Sequence, residues 1–282
     1  MARALRRAAL AAAIAAASLA VGGSSALGAA GRVGDDDYVS KALRGRVHFA
    51  VYLPPDYDTS TRRYPVVYFL HGLPTTKTAY KDISFLADAL ERGNLSAIIV
   101  APQGARDGDS DPEYLDWRPG RNWATALARE LPQVVDARYR TVPTRRGRAI
   151  VGLSAGGYGA MLLGINNLDV FGAVESWSGY FHPTDPSGEH SLDLGSPAKN
   201  ARASAHAAVP ELKRKLAKRP SFVGFYVGDA DDRFRAENVQ LDRELSAVRV
   251  PHVFRVYRGG HSFTLWQAQA THWLQLALAH LG

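Results

Sequence analysis

The residues best suited to chemistry lie around a serine between two glycines, where residues 152–156 have the sequence GLSAG. This G-x-S-x-G pattern is typical of a nucleophilic serine on a sharp turn between a strand and a helix. Residues 148–153 favour a strand and residues 155–163 favour a helix, so the pattern has the context that it requires. The glycines allow the tight turn, and the helix N-terminus favours developing negative charge. We therefore predict that Ser154 is a nucleophile.

A serine hydroxyl is a weak nucleophile unless a base takes its proton, and with this pattern the base follows the serine along the chain. Four histidines lie late enough in the sequence: His252, His261, His272 and His280. Three of them lie at the start of a predicted strand or within the predicted closing helix. His261 instead follows predicted strand 253–257 and a pair of glycines, on a loop that leads into a helix. Open α/β sheets build their sites on such loops, so we predict that His261 is the base.

The base needs a carboxylate that holds its tautomer and stabilises the imidazolium. Predicted strand 221–227 is followed by a glycine and then by three aspartates, Asp229, Asp231 and Asp232. The position is suitable for any of the three, and the other two would be solvated at the tip of the loop. We prefer Asp231, then Asp232, then Asp229, and the choice among them stays open.

The reaction also needs N–H donors for the oxyanion of the tetrahedral intermediate. The residue after the nucleophile, Ala155, is expected to supply one backbone N–H. The second is expected from the loop after predicted strand 64–70, where residues 70–74 read LHGLP. Pro74 has no N–H to donate, so we predict Leu73 as the second donor. His71 is expected to order this loop by hydrogen bonding rather than to act as a second base.

These residues require a sheet whose strands alternate with helices. Strands are predicted at residues 46–53, 64–70, 97–101, 148–153, 172–176, 221–227 and 253–257. Helices are predicted at residues 83–92, 124–139, 155–163 and 264–281. The alternation predicts an α/β fold with a mostly parallel central sheet and helices on both faces, its first strand antiparallel at the edge. Residues 182–220 are interpreted either as a cap beside the site or as an ordinary crossover with an insertion.

Residues 1–30 differ in composition from the rest of the chain. Three arginines precede an apolar run at residues 8–21, and small residues follow, as is typical of a secretory signal peptide. The alternative of a membrane anchor is disfavoured because the run is shorter than the ~20 residues that a span needs. We predict cleavage just before Gly31, a single domain over residues 31–282, and a protein that is secreted or held at the cell envelope.

The composition excludes several classes of site and partner. The chain of 282 residues contains no cysteine, which excludes disulfides, thiolate nucleophiles and cysteine-ligated metals. The net charge of +7 includes the three arginines of the predicted signal peptide; the rest holds 31 basic and 27 acidic residues, a net charge of +4. Because no arginine stripe is interleaved with aromatics, we predict no nucleic-acid partner. A small-molecule or glycan-linked ester is the expected substrate.

Several motifs resemble a known family. LHGLP, GLSAGGYGA, GDADDRFRAEN and YRGGHSFTLW are similar to motifs of the esterases that include feruloyl esterases, enterochelin-type esterases, S-formylglutathione hydrolases and mycolyltransferases of the antigen 85 type. The resemblance covers roughly residue 47 to the C-terminus. GLSAGGYGA and GGHSFTLW are its most specific parts.

The resemblance implies an α/β-hydrolase fold with Ser154 and His261 in triad roles and with Leu73 and Ala155 as oxyanion donors. It places the acid three residues after the glycine, at Asp231, although an extra residue before the EN pair leaves Asp232 open. The mechanism of a serine triad requires neither a metal nor an organic cofactor. The resemblance does not choose among the substrates of the family.

Two further features have alternative interpretations. Asp107, Asp109, Asp111 and Glu113 alternate as in a calcium loop, but a proline at the sixth position and an arginine at the twelfth do not fit an EF-hand. We interpret them as a solvated acidic loop. Seven aromatic residues on or near the expected site loops are candidates either for the substrate pocket or for the core: Trp117, Trp123, Tyr158, Trp177, Tyr180, Phe181 and Trp266.

Three functions of different classes are compatible with these residues. The first is hydrolysis of carboxylic esters through an acyl-enzyme on Ser154. The second is acyl transfer, in which a sugar or alcohol hydroxyl replaces water in the last step. The third is a non-catalytic secreted binding protein, which the complete set of serine, histidine and aspartate argues against.

Overall fold

A computed structural model describes residues 31–74, 76, 78–105, 114–185 and 190–282. The predicted signal peptide at residues 1–30 lies outside the described residues. The acidic positions of the calcium-like pattern at residues 107–113 lie outside them as well. Among the described residues, no helix is long and apolar enough to cross a membrane.

The described strands form one sheet of eight. Their bounds are β1 (Arg32–Ser40), β2 (Gly45–Leu53), β3 (Val66–Leu70), β4 (Ile98–Pro102), β5 (Arg148–Leu153), β6 (Ala173–Trp177), β7 (Phe222–Gly228) and β8 (Val253–Tyr257). The order across the sheet is β1-β2-β4-β3-β5-β6-β7-β8. Strand β2 pairs antiparallel with β1 and β4, and the remaining neighbours pair in parallel. The predicted α/β fold with a mostly parallel sheet is confirmed.

The helices connect these strands. Their bounds are α1 (Ser84–Arg92), α2 (Trp123–Thr125), α3 (Leu131–Arg138), α4 (Ala155–Asn166), α5 (Pro197–Arg202), α6 (Ala205–Lys218), α7 (Arg235–Ala247) and α8 (Phe263–Ala279). A π-helical turn at Ala126–Glu130 joins α2 to α3, and short 3-10 turns lie at Ala79–Lys81 and Arg145–Gly147. Pro132 is the second residue of α3 and follows directly on the π-helical turn, whose wider hydrogen-bond pattern interrupts the regular α-helix just before the proline.

Two hydrophobic clusters cover the two faces of the sheet. Side chains of a strand alternate between faces, so Val66 and Tyr68 belong to one cluster while Val67 and Phe69 belong to the other. Helices α3, α4, α6 and α7 contribute to the first cluster, and α1 and α8 to the second. Burial on both faces explains why β3 reads VVYFL with no polar residue.

Strand β1 corrects the sequence analysis, which left it out and put the first predicted strand at the edge. The edge strand is β1, and β2 lies one position inside it. Three consecutive aspartates made residues 32–40 look unlike a strand. Their carboxylates instead form ion pairs on the outside of the sheet: Asp35 with Lys81, Asp36 with Arg138, and Asp37 with Arg46.

The segment between β6 and β7 is a crossover with an insertion. Helix α6 packs against α4 and α7, as expected of the helix that joins two parallel strands. Ahead of it, Thr184 and Asp185 lie on the wall of the cavity described below. Both interpretations of residues 182–220 therefore hold in part. The single domain predicted for residues 31–282 stays a prediction.

Candidate active site

Ser154 lies on the turn between β5 and α4. Its backbone has φ 54° and ψ −124°, a conformation that costs a residue other than glycine about 1–3 kcal/mol. Two hydrogen bonds hold it: its N–H donates to the carbonyl oxygen of Trp177 at 2.9 Å, and its carbonyl oxygen accepts from the N–H of Tyr158 at 3.1 Å. The neighbouring strand and helix thus maintain the turn that sequence analysis predicted for Ser154.

The glycines on either side of Ser154 are required by close contacts of the backbone. A Cβ atom at Gly152 would lie 2.1 Å from the carbonyl oxygen of Gly156. A Cβ atom at Gly156 would lie 1.9 Å from the carbonyl oxygen of Leu70 at the end of β3. Helix α4 therefore crosses the ends of the strands at a distance that only glycine permits.

His261 is in hydrogen-bond contact with both of its expected partners. Its Nε2 lies 2.9 Å from Oγ of Ser154, and its Nδ1 lies 2.8 Å from Oδ2 of Asp231. The side chain of Asp231 is fully buried. The carboxylate accepts the hydrogen of Nδ1, which leaves the lone pair of Nε2 facing the serine hydroxyl. Three residues that lie far apart in sequence are therefore brought together in the arrangement that activates a serine.

Among the three aspartates, Asp231 is the one that reaches His261. Its other carboxylate oxygen, Oδ1, accepts a hydrogen bond from the N–H of Phe234 at 3.2 Å. Asp232 is exposed. Asp229 is also exposed, and its Oδ1 accepts from the N–H of Gly259 at 2.9 Å, two residues before His261.

The contact of Asp229 with Gly259 is a structural feature that sequence analysis did not identify. A backbone bond from the N–H of Asp229 to the carbonyl oxygen of Tyr257, at 2.7 Å, adds to it. The N–H of Ala230 also donates to the carbonyl oxygen of Gly259, at 2.9 Å. The acid loop and the loop of His261 are thus bonded to each other, which holds His261 in register with Asp231.

Two aromatic side chains hold the imidazole ring in place. Phe234 and Trp266 each meet the ring of His261 nearly edge-on, with centroids 5.1 Å apart in both pairs. Phe234 lies in the turn before α7, and Trp266 lies in the first turn of α8. The ring therefore has limited freedom to rotate away from Ser154.

The two predicted oxyanion donors lie on opposite sides of Ser154 in the sequence. Ala155 is the first residue of α4, and a helix provides no acceptor for the N–H of its first residue. Leu73 lies in the loop after β3 and lines the same cavity as Ser154 and His261. This loop passes close to the serine, because a Cβ atom at Gly72 would lie 3.0 Å from Cβ of Ser154.

Hydrogen bonds of His71 anchor the loop that carries Leu73. Its Nε2 accepts from the N–H of Gly104 at 3.0 Å, so the ring hydrogen is on Nδ1, which donates to the carbonyl oxygen of Gly72 at 2.8 Å. The hydroxyl of Tyr114 donates to the carbonyl oxygen of His71 at 2.5 Å. The ring is buried, and the geometry agrees with the ordering role expected for His71.

A cavity of about 820 Å³ opens above Ser154 and His261. Its apolar wall includes six aromatic side chains: Phe69, Phe85, Tyr180, Phe234, Phe263 and Trp266. Its polar wall includes Thr76, Asp82, Thr184, Asp185 and Arg233. The described residues also include a group that could hold a metal ion, at His182, His206 and Glu237, outside this cavity.

Only two of the seven aromatic residues singled out from the sequence line the cavity, Tyr180 and Trp266. Four others are buried side chains of the core: Trp123, Tyr158, Trp177 and Phe181. Trp117 is partly exposed elsewhere. Four of the cavity aromatics were missed: Phe69, Phe85, Phe234 and Phe263. Phe69, Phe85 and Phe263 lie in a regular strand or helix, whereas Phe234 lies in the turn before α7.

Comparison with known proteins identifies relatives over most of the chain. The Esterase family model, described as "Putative esterase", matches residues 40–275. An esterase of Mycobacterium tuberculosis is 29% identical over 238 residues, which cover 76% of this chain and 52% of that protein. The chain thus spans about half the length of the first curated relatives that it matches. The S-formylglutathione hydrolase of Mus musculus is 25% identical, over 80% of this chain and 86% of that protein.

Solved structures have the same fold. A ferulic acid esterase superposes with a TM-score of 0.74 and 25% identity, over 89% of this chain and 98% of its own. The S-formylglutathione hydrolase of Agrobacterium tumefaciens gives a TM-score of 0.73 at 21% identity, over 90% of this chain and 96% of its own. The predicted α/β-hydrolase fold is confirmed.

Proposed function

Because this chain belongs to the esterase family, we propose that it is a secreted serine esterase, which hydrolyses carboxylic esters with Ser154, His261 and Asp231 as its catalytic triad. One observation carries the proposal. Hydrogen bonds of 2.9 Å and 2.8 Å run from the serine hydroxyl through the imidazole to a fully buried carboxylate, at the base of a cavity large enough for a small ester.

In the first step, Oγ of Ser154 attacks the carbonyl carbon of the ester while Nε2 of His261 takes the hydroxyl proton. The carbonyl π electrons move to the oxygen, which becomes an oxyanion. The buried carboxylate of Asp231 stabilises the imidazolium that forms. The geometry supports the role of His261 as the base, because the lone pair of its Nε2 already faces the hydroxyl of Ser154.

The backbone N–H groups of Leu73 and Ala155 are proposed to donate to the oxyanion, a contribution of about 3 kcal/mol for each donor. When the intermediate collapses, the bond to the leaving oxygen breaks and His261 gives its proton to the departing alcohol. The acyl group then remains on Ser154. Attack by water, with His261 again as base, releases the carboxylic acid and restores the serine.

We propose an ester with an aromatic or bulky apolar acid as the substrate. Six aromatic side chains form the apolar wall of the cavity, and such walls bind planar apolar groups well. A solved relative of 25% identity is a ferulic acid esterase, named for an aromatic acid. Threonine and arginine side chains that also line the cavity are suited to polar groups of the substrate.

Acyl transfer shares every step up to the acyl-enzyme and differs only in the acceptor. Hydrolysis measured in the presence of glycerol or trehalose separates the two activities. We expect free acid as the product at all acceptor concentrations. Acylated glycerol or trehalose in place of free acid would identify a transferase.

The triad is tested with short- and long-chain p-nitrophenyl esters and a fluorophosphonate label, on the wild type, Ser154→Ala and Ser191→Ala. Ser191 is an exposed serine and serves as the matched control. We expect Ser154→Ala to lose at least about four orders of magnitude in kcat and all labelling, whereas Ser191→Ala keeps both. Labelling that persists in folded Ser154→Ala would refute the assignment. A folded wild type with neither turnover nor label would favour first a transferase with a specialised donor and then the binding protein.

Secretion is proposed from the charge and hydropathy pattern of residues 1–30. We expect the protein recovered from the medium or envelope of an expressing bacterium to begin at or near Gly31. N-terminal sequencing or intact mass measures this directly. Retention of residues 1–30 on a protein that stays inside the cell would contradict it.

A further inference from the structure

Three side chains from different elements converge beside the cavity: His182 in the segment after β6, His206 in the first turn of α6, and Glu237 in the first turn of α7. Nδ1 of His182 lies 2.6 Å from Oε1 of Glu237, and Nε2 of His206 lies 3.3 Å from the same oxygen. All three ligand atoms lie within 4.8 Å of one another. The triad described above does not involve any of these residues.

A second carboxylate orients one of the two imidazoles. Nδ1 of His206 lies 2.6 Å from Oε2 of Glu244, and the other oxygen of Glu244 accepts from the side-chain amide of Gln240 at 2.8 Å. A carboxylate on the far nitrogen of a histidine is the usual outer partner of a metal-ligating imidazole, because it fixes the tautomer and raises the basicity of the near nitrogen. His206 is therefore held so that Nε2 faces the cluster.

Three nitrogen atoms lie close to Oε1 of Glu237, the carboxylate oxygen at the centre of the cluster. Nδ1 of His182 lies at 2.6 Å and Nε2 of His206 at 3.3 Å, and the N–H of Phe181 donates to the same oxygen at 2.6 Å. If His206 donates to Glu244 through Nδ1, its Nε2 can approach the anionic oxygen of Glu237 only with a cation between them. That cation is either a proton on Nε2 or a metal ion.

We propose that His182, His206 and Glu237 form a binding site for Zn²⁺ or a similar divalent transition-metal ion. Two imidazole nitrogens and one carboxylate oxygen are a common three-ligand set for zinc, with water at the fourth position. Ligands at 2.0–2.1 Å in a tetrahedron are roughly 3.3 Å apart, which matches the separation of Nε2 of His206 and Oε1 of Glu237. Nδ1 of His182, at 2.6 Å from that oxygen, must move back by roughly 0.7 Å when the ion enters. The side chain of His182 is 37% exposed, which leaves a path for the ion and the water.

The position of the site indicates the role of a bound metal ion. His182 lies two residues before Thr184, and Glu237 lies three residues after Phe234, and both of these neighbours line the cavity. The ion would connect the segment after β6 with α6 and α7 and so stiffen one wall of the cavity. It lies outside the triad, so its proposed role is structural, and its binding is measurable without any substrate.

The test is equilibrium dialysis of the metal-stripped protein against Zn²⁺ at about pH 8, because proton release accompanies metal binding and a higher pH favours it, with elemental analysis of the bound metal. The variants are His182→Ala, His206→Ala and Glu237→Gln. The control is His252→Gln, because His252 also pairs with an acid, Asp242 at 3.0 Å, but lies outside the cluster. We expect one ion per chain for the wild type and the control, and none at the same free Zn²⁺ for the three variants.

Two further readouts keep the proposal falsifiable where a variant folds poorly. Zn²⁺ at about 100 times its Kd is expected to raise Tm of the wild type by about 5 °C or more, and to leave Tm of folded His182→Ala unchanged. Glu244→Gln, which alters only the outer partner, is expected to bind about 10-fold more weakly. Wild-type stoichiometry near zero, or equal binding by wild type and all three ligand variants, would overturn the proposal.

Discussion

Replacing the buried acid with its amide, Asp231→Asn, exchanges one oxygen for an NH₂ group and reverses a hydrogen bond. The N–H of Phe234 donates to Oδ1, so the amide oxygen of asparagine keeps that position and its NH₂ group replaces Oδ2. The NH₂ group then lies 2.8 Å from Nδ1 of His261 and can only donate to it. The imidazole must carry its hydrogen on Nε2, which points that hydrogen at Ser154 and removes the base.

The size of the effect follows from the burial of the site. The side chain of Asp231 is fully buried, so no water can replace the lost acceptor. A wrong tautomer in a triad of this geometry costs about four orders of magnitude in kcat, which is about 5.5 kcal/mol of transition-state stabilisation. The volume of the side chain is nearly unchanged, and the hydrogen bond to Phe234 is kept. We therefore expect Asp231→Asn to be folded and almost inactive.

The assay compares kcat/KM for a p-nitrophenyl ester among Asp231→Asn, Asp232→Asn and Asp229→Asn, with thermal unfolding as the check on folding. Asp232 is exposed, and kcat/KM of Asp232→Asn is expected to lie within about twofold of the wild-type value. Asp229→Asn keeps an oxygen that can accept from Gly259 and is expected to stay within about tenfold. If folded Asp231→Asn kept more than a tenth of the wild-type value, or if Asp232→Asn lost as much, the assignment of the acid would be refuted.

Two other predictions concern stability. Gly156→Ala is expected to reduce the free energy of unfolding by more than about 3 kcal/mol, because the new Cβ would lie 1.9 Å from the carbonyl oxygen of Leu70. Urea unfolding measures this, with Gly34→Ala as the control, since a Cβ at Gly34 meets only one atom, at 3.9 Å. Equal losses of stability in the two variants would contradict the steric argument. Glu175→Gln is expected to stabilise the protein at about pH 8 but not at about pH 4. Burial raises the pKa of Glu175 well above its ordinary value, although the hydrogen bond from Trp177 acts in the opposite direction. The folded state therefore keeps a proton that the unfolded state releases. As a result, wild-type stability falls as pH rises from about 4 through the folded pKa. Urea unfolding of both proteins at the two pH values measures this, and a difference that does not change with pH would contradict it.

The sequence alone determined the features that depend on neighbouring residues. The turn around Ser154 could be predicted because a strand, two glycines and a helix follow one another within a few residues. The position of His261 could be predicted in the same way, from a strand, a glycine pair and a helix. Burial on both faces makes β3 and most of β5 apolar, which is why these two strands were found within two residues of their observed bounds.

Features that depend on partners far along the chain required the tertiary structure. The packing of the loop after β7 against the loop after β8 brings Asp231, rather than Asp229 or Asp232, into contact with His261. The same packing pairs Asp229 with the N–H of Gly259. Strand β1 escaped prediction because the cations that neutralise its aspartates lie on other elements, at Arg46 of β2, Lys81 of the 3-10 turn and Arg138 of α3. The proposed metal ligands lie 24 and 31 residues apart along the chain, at positions 182, 206 and 237, a spacing that matches no motif. Local periodicity and turn sterics depend on contiguous residues, whereas a contact between distant residues forms only when the sheet and its helices have packed.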